Sequence, residues 1–131
     1  MGASVAPGSV GSILMQNLLQ TPFGGVVYPI NPKRKAVHGV FCYPSLMDTP
    51  EVADLAVIAT PAATVPAMIE QCVVRGVRSA IDISAGFSEL GAEGRALEQR
   101  IRDIARGKLR MIGPNCLGII HPPSGLNASF A

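Results

Sequence analysis

The stretch ADLAVIATPAATVPAMIEQCVVRGVRSAIDIS, Ala53 to Ser84, reads as strand, helix, strand. Its first part, ADLAVIAT (Ala53 to Thr60), is a continuous apolar run, the pattern of a strand buried on both faces. Ala63 to Val74 then places Val65, Met68, Ile69 and Val73 close to the i, i+3, i+4, i+7 rule of an amphipathic helix. VRSAIDIS (Val77 to Ser84) returns to strand character. Two strands joined by a helix of this length pair in parallel through a right-handed crossover.

Outward from this unit the alternation continues in both directions. Downstream, Gly94 to Arg106 is helical in pattern, with Leu97, Ile101, Ile104 and Ala105 as its apolar face; KLRMIG (Lys108 to Gly113) and GII (Gly118 to Ile120) read as strands. Upstream, Ser9 to Gln20 is a helix with Val10, Ile13, Leu14 and Leu18 on one side. GGVVYPIN (Gly24 to Asn31) and GVFCY (Gly39 to Tyr43) read as two short strands. The expectation is an α/β fold with a mostly parallel sheet and helices on both faces, occupying residues 1–131 as one domain. A chain of 131 residues that is 48% hydrophobic can fill one core.

Several function classes drop out on composition. No apolar run approaches the roughly 20 residues that cross a bilayer, and no charged n-region followed by an apolar segment stands at the start, so a cytoplasmic protein without membrane contact is expected. Three cysteines (Cys42, Cys72 and Cys116), an odd number without C-x-x-C spacing, suit neither a disulfide framework nor a zinc site; reduced thiols and no metal are expected. A net charge of +2, with cations not interleaved with aromatics, argues against nucleic acid. The charge is unevenly spread: no Asp or Glu precedes Asp48, while Lys33, Arg34 and Lys35 stand together.

Parallel sheets bind ligands beyond the carboxyl ends of their strands, so the loops carry the functional signal. APGSVG (Ala6 to Gly11) matches G-x-G-x-x-G with Ala in the first position. Gly8 admits a pyrophosphate close to the backbone, Gly11 permits tight packing, and Ser9 can cap a helix whose amides face an anion. The same residues are equally compatible with a plain turn into a helix. About 20 residues on, where a site for NAD would carry an acid, YPINPKRK has Asn31 followed by Lys33, Arg34 and Lys35. Cations without a carboxylate favour a ribose bearing a phosphate, as in NADP or the 3′-phospho-ADP of coenzyme A. A solvated basic turn is the alternative for the cluster alone. ATPAATV (Ala59 to Val65) offers Thr60 as N-cap and Pro61 at the first helical position. ISAGFSELG (Ile83 to Gly91) offers small side chains and free amides at Ser84, Ala85 and Gly86, with Ser88 as a cap for the last helix.

GASVAPGSVG, YPINPK, DLAVIATPAATV, ISAGFSELG and GPNCLGIIHPPSGLNASFA together, in this order and over essentially the whole chain, resemble the CoA-binding domain of the nucleoside-diphosphate-forming acyl-CoA synthetases. This is the superfamily of succinyl-CoA synthetase α subunits and of ADP-forming acetate–CoA ligases, and the domain also occurs fused to Gcn5-type protein acetyltransferases. The resemblance implies a Rossmann-type fold with coenzyme A as cofactor. It implies that Ser4, Val5, Ala6, Pro7 and Gly8 hold the CoA phosphates and that Lys33 contacts the adenosine end. Ile83, Ser84 and Ala85 would touch the pantetheine side. Asn115 and Cys116, in GPNCLG (Gly113 to Gly118), would lie nearest the thioester. The family uses no cysteine acyl-enzyme, and neither His38 nor His121 has an evident carboxylate orienter, so no catalytic residue is expected here.

The family's phosphohistidine and ATP-grasp parts have no counterpart in the sequence, which implies a piece of a larger enzyme, inactive alone. In the family a short apolar strand leads into the glycine loop, whereas here Met1 and Gly2 stand there. The resemblance therefore implies either a first strand cut short or another segment in its place, and unpaired backbone at an unfilled slot would favour a homodimer. An NADP-dependent oxidoreductase shares the loop and the cations, but the only tyrosines, Tyr28 and Tyr43, have no Lys four residues on. A regulatory module of an acetyltransferase fusion shares every motif.

Overall fold

The computed structural model describes all residues, 1–131, as two compact units: residues 50–116, and residues 1–49 with 117–131.

The central unit is the strand–helix alternation of the quoted stretch. β3 (Leu55–Ile58), β4 (Ser79–Asp82) and β5 (Arg110–Ile112) form a parallel sheet in that spatial order. The register pairs Val57 with Ile81 and Ile58 with Asp82 on one side, and Ile81 with Ile112 on the other. β4 is the middle strand, and Ala80, Ile81 and Asp82 are all buried, as the apolar run required. α2 (Val65–Arg75) and α3 (Ala92–Ala105) make the two crossovers. Because the strands advance in one direction, right-handed crossovers carry both helices over the same face, where they pack together. Val65, Ile69 and Cys72 of α2 and Ile101 and Ala105 of α3 supply their buried sides.

α2 stops at Gly76, whose φ of 89° only glycine adopts cheaply and whose N–H donates to Cys72 O and Val73 O. The helix starts differ from the expected caps. Thr60 does not cap α2, because a 3-10 turn at Ala62–Thr64 intervenes and the Thr60 hydroxyl instead accepts from Thr64 Oγ1 at 2.8 Å. Ser88 does not cap α3 either: it opens a 3-10 turn, Ser88–Leu90, and Gly91 precedes the helix without a side-chain cap.

In the other unit α1 (Val10–Gln20) has Ser9 as N-cap, its Oγ accepting from Ser12 N–H at 3.3 Å. β1 (Ala36–Val37) and β2 (Val40–Phe41) form an antiparallel hairpin whose two turn residues, His38 and Gly39, have φ of 49° and 79°. Positive φ at both centres is the type I′ requirement, and no Asn-Gly or Asp-Gly announces it here. The expected strand over Gly24–Asn31 reduces to a single parallel bridge, Ile30 with Tyr43. Two adjacent glycines, Gly24 at φ 77°, and Pro29, which lacks an N–H, break the run on either side of Val26–Tyr28. β6 (Gly118–His121) pairs antiparallel with β7 (Leu126–Ser129), a strand that its polar Asn127 and Ser129 conceal in the sequence. Asn17 of α1 donates to Ser129 O at 2.9 Å. The core of this unit gathers Ala3, Met15, Val37 and Cys42, with Val5 and Val27 against it.

No strand precedes α1; Gly2 and Ala3 donate their N–H groups to Ile30 O at 3.1 and 3.3 Å.

Candidate functional site

In the unit that contains α1, the glycine loop is shaped by its own polar atoms. Ala6 N–H donates to Ser4 Oγ at 3.0 Å, and Ser9 donates to Ala6 O through both its N–H (3.1 Å) and its hydroxyl (2.8 Å). Gly8 takes φ 76°. Ala6, Pro7 and Gly8 are exposed, Ser4 and Val5 half-buried. The first-turn amides of Val10 and Gly11 have no acceptor within the helix and carry its positive end. A Cβ on Gly11 would collide with the Gly2 carbonyl oxygen, so the helix can approach the chain before it only with glycine there.

Asn31, whose place an acid would take in an NAD site, is a joint between two predicted segments. Its side-chain N–H donates to Ala3 O at 2.8 Å, and its Oδ1 accepts from Lys33 N–H at 2.9 Å. One amide thus fixes the backbone before Ser4 relative to the basic turn. A carboxylate could not donate the first of these bonds. Lys33, Arg34 and Lys35 are exposed and none is in an ion pair.

In the central unit, three loops meet on Ser84. Ser84 N–H donates to Asp82 Oδ1 at 3.1 Å, Ser84 Oγ accepts from Thr60 N–H at 3.2 Å, and Ser84 O accepts from Asn115 N–H at 3.0 Å. Thr60 follows β3, Ser84 follows β4 and Asn115 follows β5, so one residue ties together the carboxyl ends of all three strands. Ile83 and Ser84 are buried, while Ala85 and Asn115 are exposed. Asn115 has φ 57°, a conformation Asn tolerates better than most residues. Gly113 lies against the Asp82 carbonyl, where a Cβ would collide, and Cys116 donates its S–H to that same oxygen at 3.3 Å.

The ionisable groups around these strand ends are unequal. Asp82 is fully buried and its Oδ2 has no hydrogen-bond partner. Burial pushes its carboxyl up to about 6, against the opposing pull of the Ser84 hydrogen bonds. Glu89 is held below the usual range, first by the Gly86 amide at 2.5 Å and then by the amides of Glu89 and Phe87. Burial raises the thiols of Cys42 and Cys72, the latter to about 11, so both are unreactive packing groups.

His121 bonds to Ser124 Oγ at 2.9 Å and is exposed; His38 bonds to Ser12 Oγ at 3.1 Å. No group of three or more His, Cys, Asp or Glu side chains could hold a metal ion, and no helix is long and apolar enough to cross a membrane. Sequence reasoning read Asn31 only as a missing acid, and it passed over Asp82. The signal for Asp82 was present: a carboxylate inside the apolar run SAIDIS.

A parallel sheet whose strand-end loops are joined at one serine and, in the other unit, a glycine loop fixed to an acid-free basic turn are features shared with nucleotide-binding α/β proteins. The family model described as "CoA binding domain" matches residues 1–122, and the chain belongs to that family. The ADP-forming acetate–CoA ligase of Methanocaldococcus jannaschii is 47% identical over 132 residues, covering all of this chain and 18% of the relative. An ADP-forming acetate–CoA ligase of Archaeoglobus fulgidus is 44% identical, with 100% and 19% covered. Among solved structures, an acetyl-coenzyme A synthetase of Candidatus Korarchaeum cryptofilum, in complex with phosphate and ADP, superposes with a TM-score of 0.92 at 40% identity. That match covers 98% of this chain and 28% of the other. The fold is accordingly the Rossmann-like α/β fold of these synthetases, and the chain spans less than a third of each of these proteins.

Proposed function

We propose that these residues form the coenzyme A site of an ADP-forming acyl-CoA synthetase. The complete enzyme would convert an acid, CoA and ATP to acyl-CoA, ADP and phosphate through a phosphohistidine and an ATP-grasp domain outside these residues. The observation that carries the reading is the Lys33–Lys35 turn: three unpaired cations, no carboxylate, and a backbone fixed to the glycine loop by Asn31. Such a turn suits the 3′-phosphate of CoA, which a carboxylate would repel. The relatives support it, being acetate–CoA ligases matched over the whole of this chain.

The contribution of the domain is positional. Amides of the glycine loop and the cations hold the phosphates, Ala85 and Asn115 present exposed surface to the rest of the cofactor, and no side chain here acts as acid, base or nucleophile. A cytoplasmic location belongs to the same reading and is supported by three free thiols.

Calorimetric titration with CoA, dephospho-CoA and NADP tests the proposal. CoA is expected to bind, dephospho-CoA and NADP more weakly, and Lys33→Ala to weaken CoA by about tenfold while leaving dephospho-CoA nearly unchanged. Folded protein that ignores CoA, or prefers NADP, overturns it.

A further inference from the structure

A fully buried carboxylate in the middle strand of a parallel sheet has to be explained. Its register partner Ile58, on the same face of the sheet, is fully buried and apolar, so an aliphatic side chain would suit the position better on packing grounds. Asp82 Oδ2 finds no partner, a cost that native structures rarely leave without a reason. What holds the Asp82 carboxyl is Ser84 alone: Oδ1 accepts the Ser84 N–H at 3.1 Å, and the Ser84 hydroxyl adds a weaker pull.

That bond sits at the root of the network already described. Ser84 is the residue on which Thr60 N–H and Asn115 N–H both converge, at 3.2 and 3.0 Å. The Asp82 main chain anchors the third loop a second time, through Cys116 S–H to its carbonyl at 3.3 Å. Turning or releasing Ser84 would therefore loosen the chain after β3, β4 and β5 together.

We propose that Asp82 is a positioning residue for the cofactor: through Ser84 it sets the loops at Thr60, Ala85 and Asn115 in the arrangement that receives CoA. This rests on the CoA reading above. Asp82 itself does not touch the ligand, since it is inaccessible.

The role makes the arrangement sensitive to the ionisation of one group. An ionised carboxylate accepts the Ser84 N–H more strongly than a neutral one, so the loops are held above the titration of Asp82 and slacken below it. The groups bonded to or in register with Asp82 carry no fixed charge; in the flanking helix α2 the cation with a buried atom is Arg75, in its last turn. Ile58 faces Asp82 from β3, and after β5 come Gly113 and Cys116, of which only the thiol can ionise. The buried positions of α2 are Val65, Pro66, Ile69 and Cys72, and those of α3 are Gly94, Ile101 and Ala105; among these only Cys72 titrates, at about 11, and it stays neutral. Glu89 is bound to the Gly86 amide, and its carboxyl is held low and stays ionised across the same range.

The test uses the 131-residue chain and two readouts. In amide NMR without ligand, Thr60, Ser84 and Asn115 are expected to titrate with one shared midpoint near pH 6, and that midpoint should vanish in Asp82→Asn. In calorimetry at pH 7.5, Asp82→Asn should bind CoA about fivefold more weakly than the wild type, the two converging at pH 5. Taking the ratio of variant to wild type at each pH cancels the titration of the CoA phosphates. Amides without a common midpoint in the wild type, or a folded Asp82→Asn with wild-type affinity at pH 7.5, overturn the proposal. Should the variant not fold, the wild-type amide titration decides alone. A shared midpoint in a wild type that binds no CoA supports the role of Asp82 in setting the loops and sinks the CoA reading instead.

Discussion

Asp82 carries a cost in stability whose sign follows from its environment. Its carboxyl titrates at about 6 in the folded chain and near 3.8 when unfolded, so the unfolded state gives up its proton first. Stability is fully present below the unfolded value, falls as pH rises between the two, and stays reduced by roughly 3 kcal/mol above the folded value. Asp82→Asn removes that dependence. Relative to the wild type it is expected to be more stable at pH 7.5 than at pH 4.5, read as a wider gap in denaturation midpoint at the higher pH. A constant gap would mean that Asp82 is not desolvated. A residue that weakens the fold while organising three loops fits the usual exchange of stability for a prepared binding surface. Asn31 is the counterpart in the other unit, and both show where the sequence was legible. The cations and glycines announced themselves by type. Asn31 acts through a bond to Ala3 O, 28 residues away along the chain, which no local pattern reports; Asp82 bonds only two residues on, and its one signal was a carboxylate inside an apolar run.

Individual elements were legible in proportion to how much apolar periodicity decided them. α1, α2, α3 and the strands β3, β4 and β5 stand where consecutive apolar residues or the 3.6-residue repeat placed them, because burial of those faces is what stabilises them. Elements decided by backbone geometry were legible only in part: β2 falls inside the expected GVFCY strand, whereas β1 and the turn that joins them were not foreseen. The β1–β2 hairpin depends on positive φ at His38, and the Gly24–Asn31 run is broken by glycine and proline conformations that its valines mask. Helix starts failed for a related reason: 3-10 turns before α2 and α3 displace Thr60 and Ser88 from the cap position. One glycine inverts the normal propensity argument. Gly→Ala inside a helix ordinarily stabilises by about 0.5–1 kcal/mol. At Gly94 in α3 a Cβ would strike the Phe87 carbonyl carbon and oxygen, both main-chain atoms that cannot turn aside. Gly94→Ala is expected to destabilise by about 2 kcal/mol, seen as a thermal midpoint lowered by several degrees; a raised midpoint would refute the close approach.

For the whole molecule, family membership was visible in the order of five motifs along the chain, and the matched family and relatives agree with it. Composition had only set limits. These residues cover 18% and 19% of the two ligases compared. Incubated alone with acetate, ATP and CoA, the chain is expected to form no acyl-CoA, and measurable turnover would contradict a purely positional role. The most direct measurement is an amide chemical-shift map of the 131-residue chain with saturating CoA. The largest shifts are expected at Ser4, Val5, Ala6, Gly8, Lys33, Ala85 and Asn115. A map that stays silent at these residues, or that moves only the exposed face of α3 around Arg95 and Arg102, would contradict the proposed CoA site.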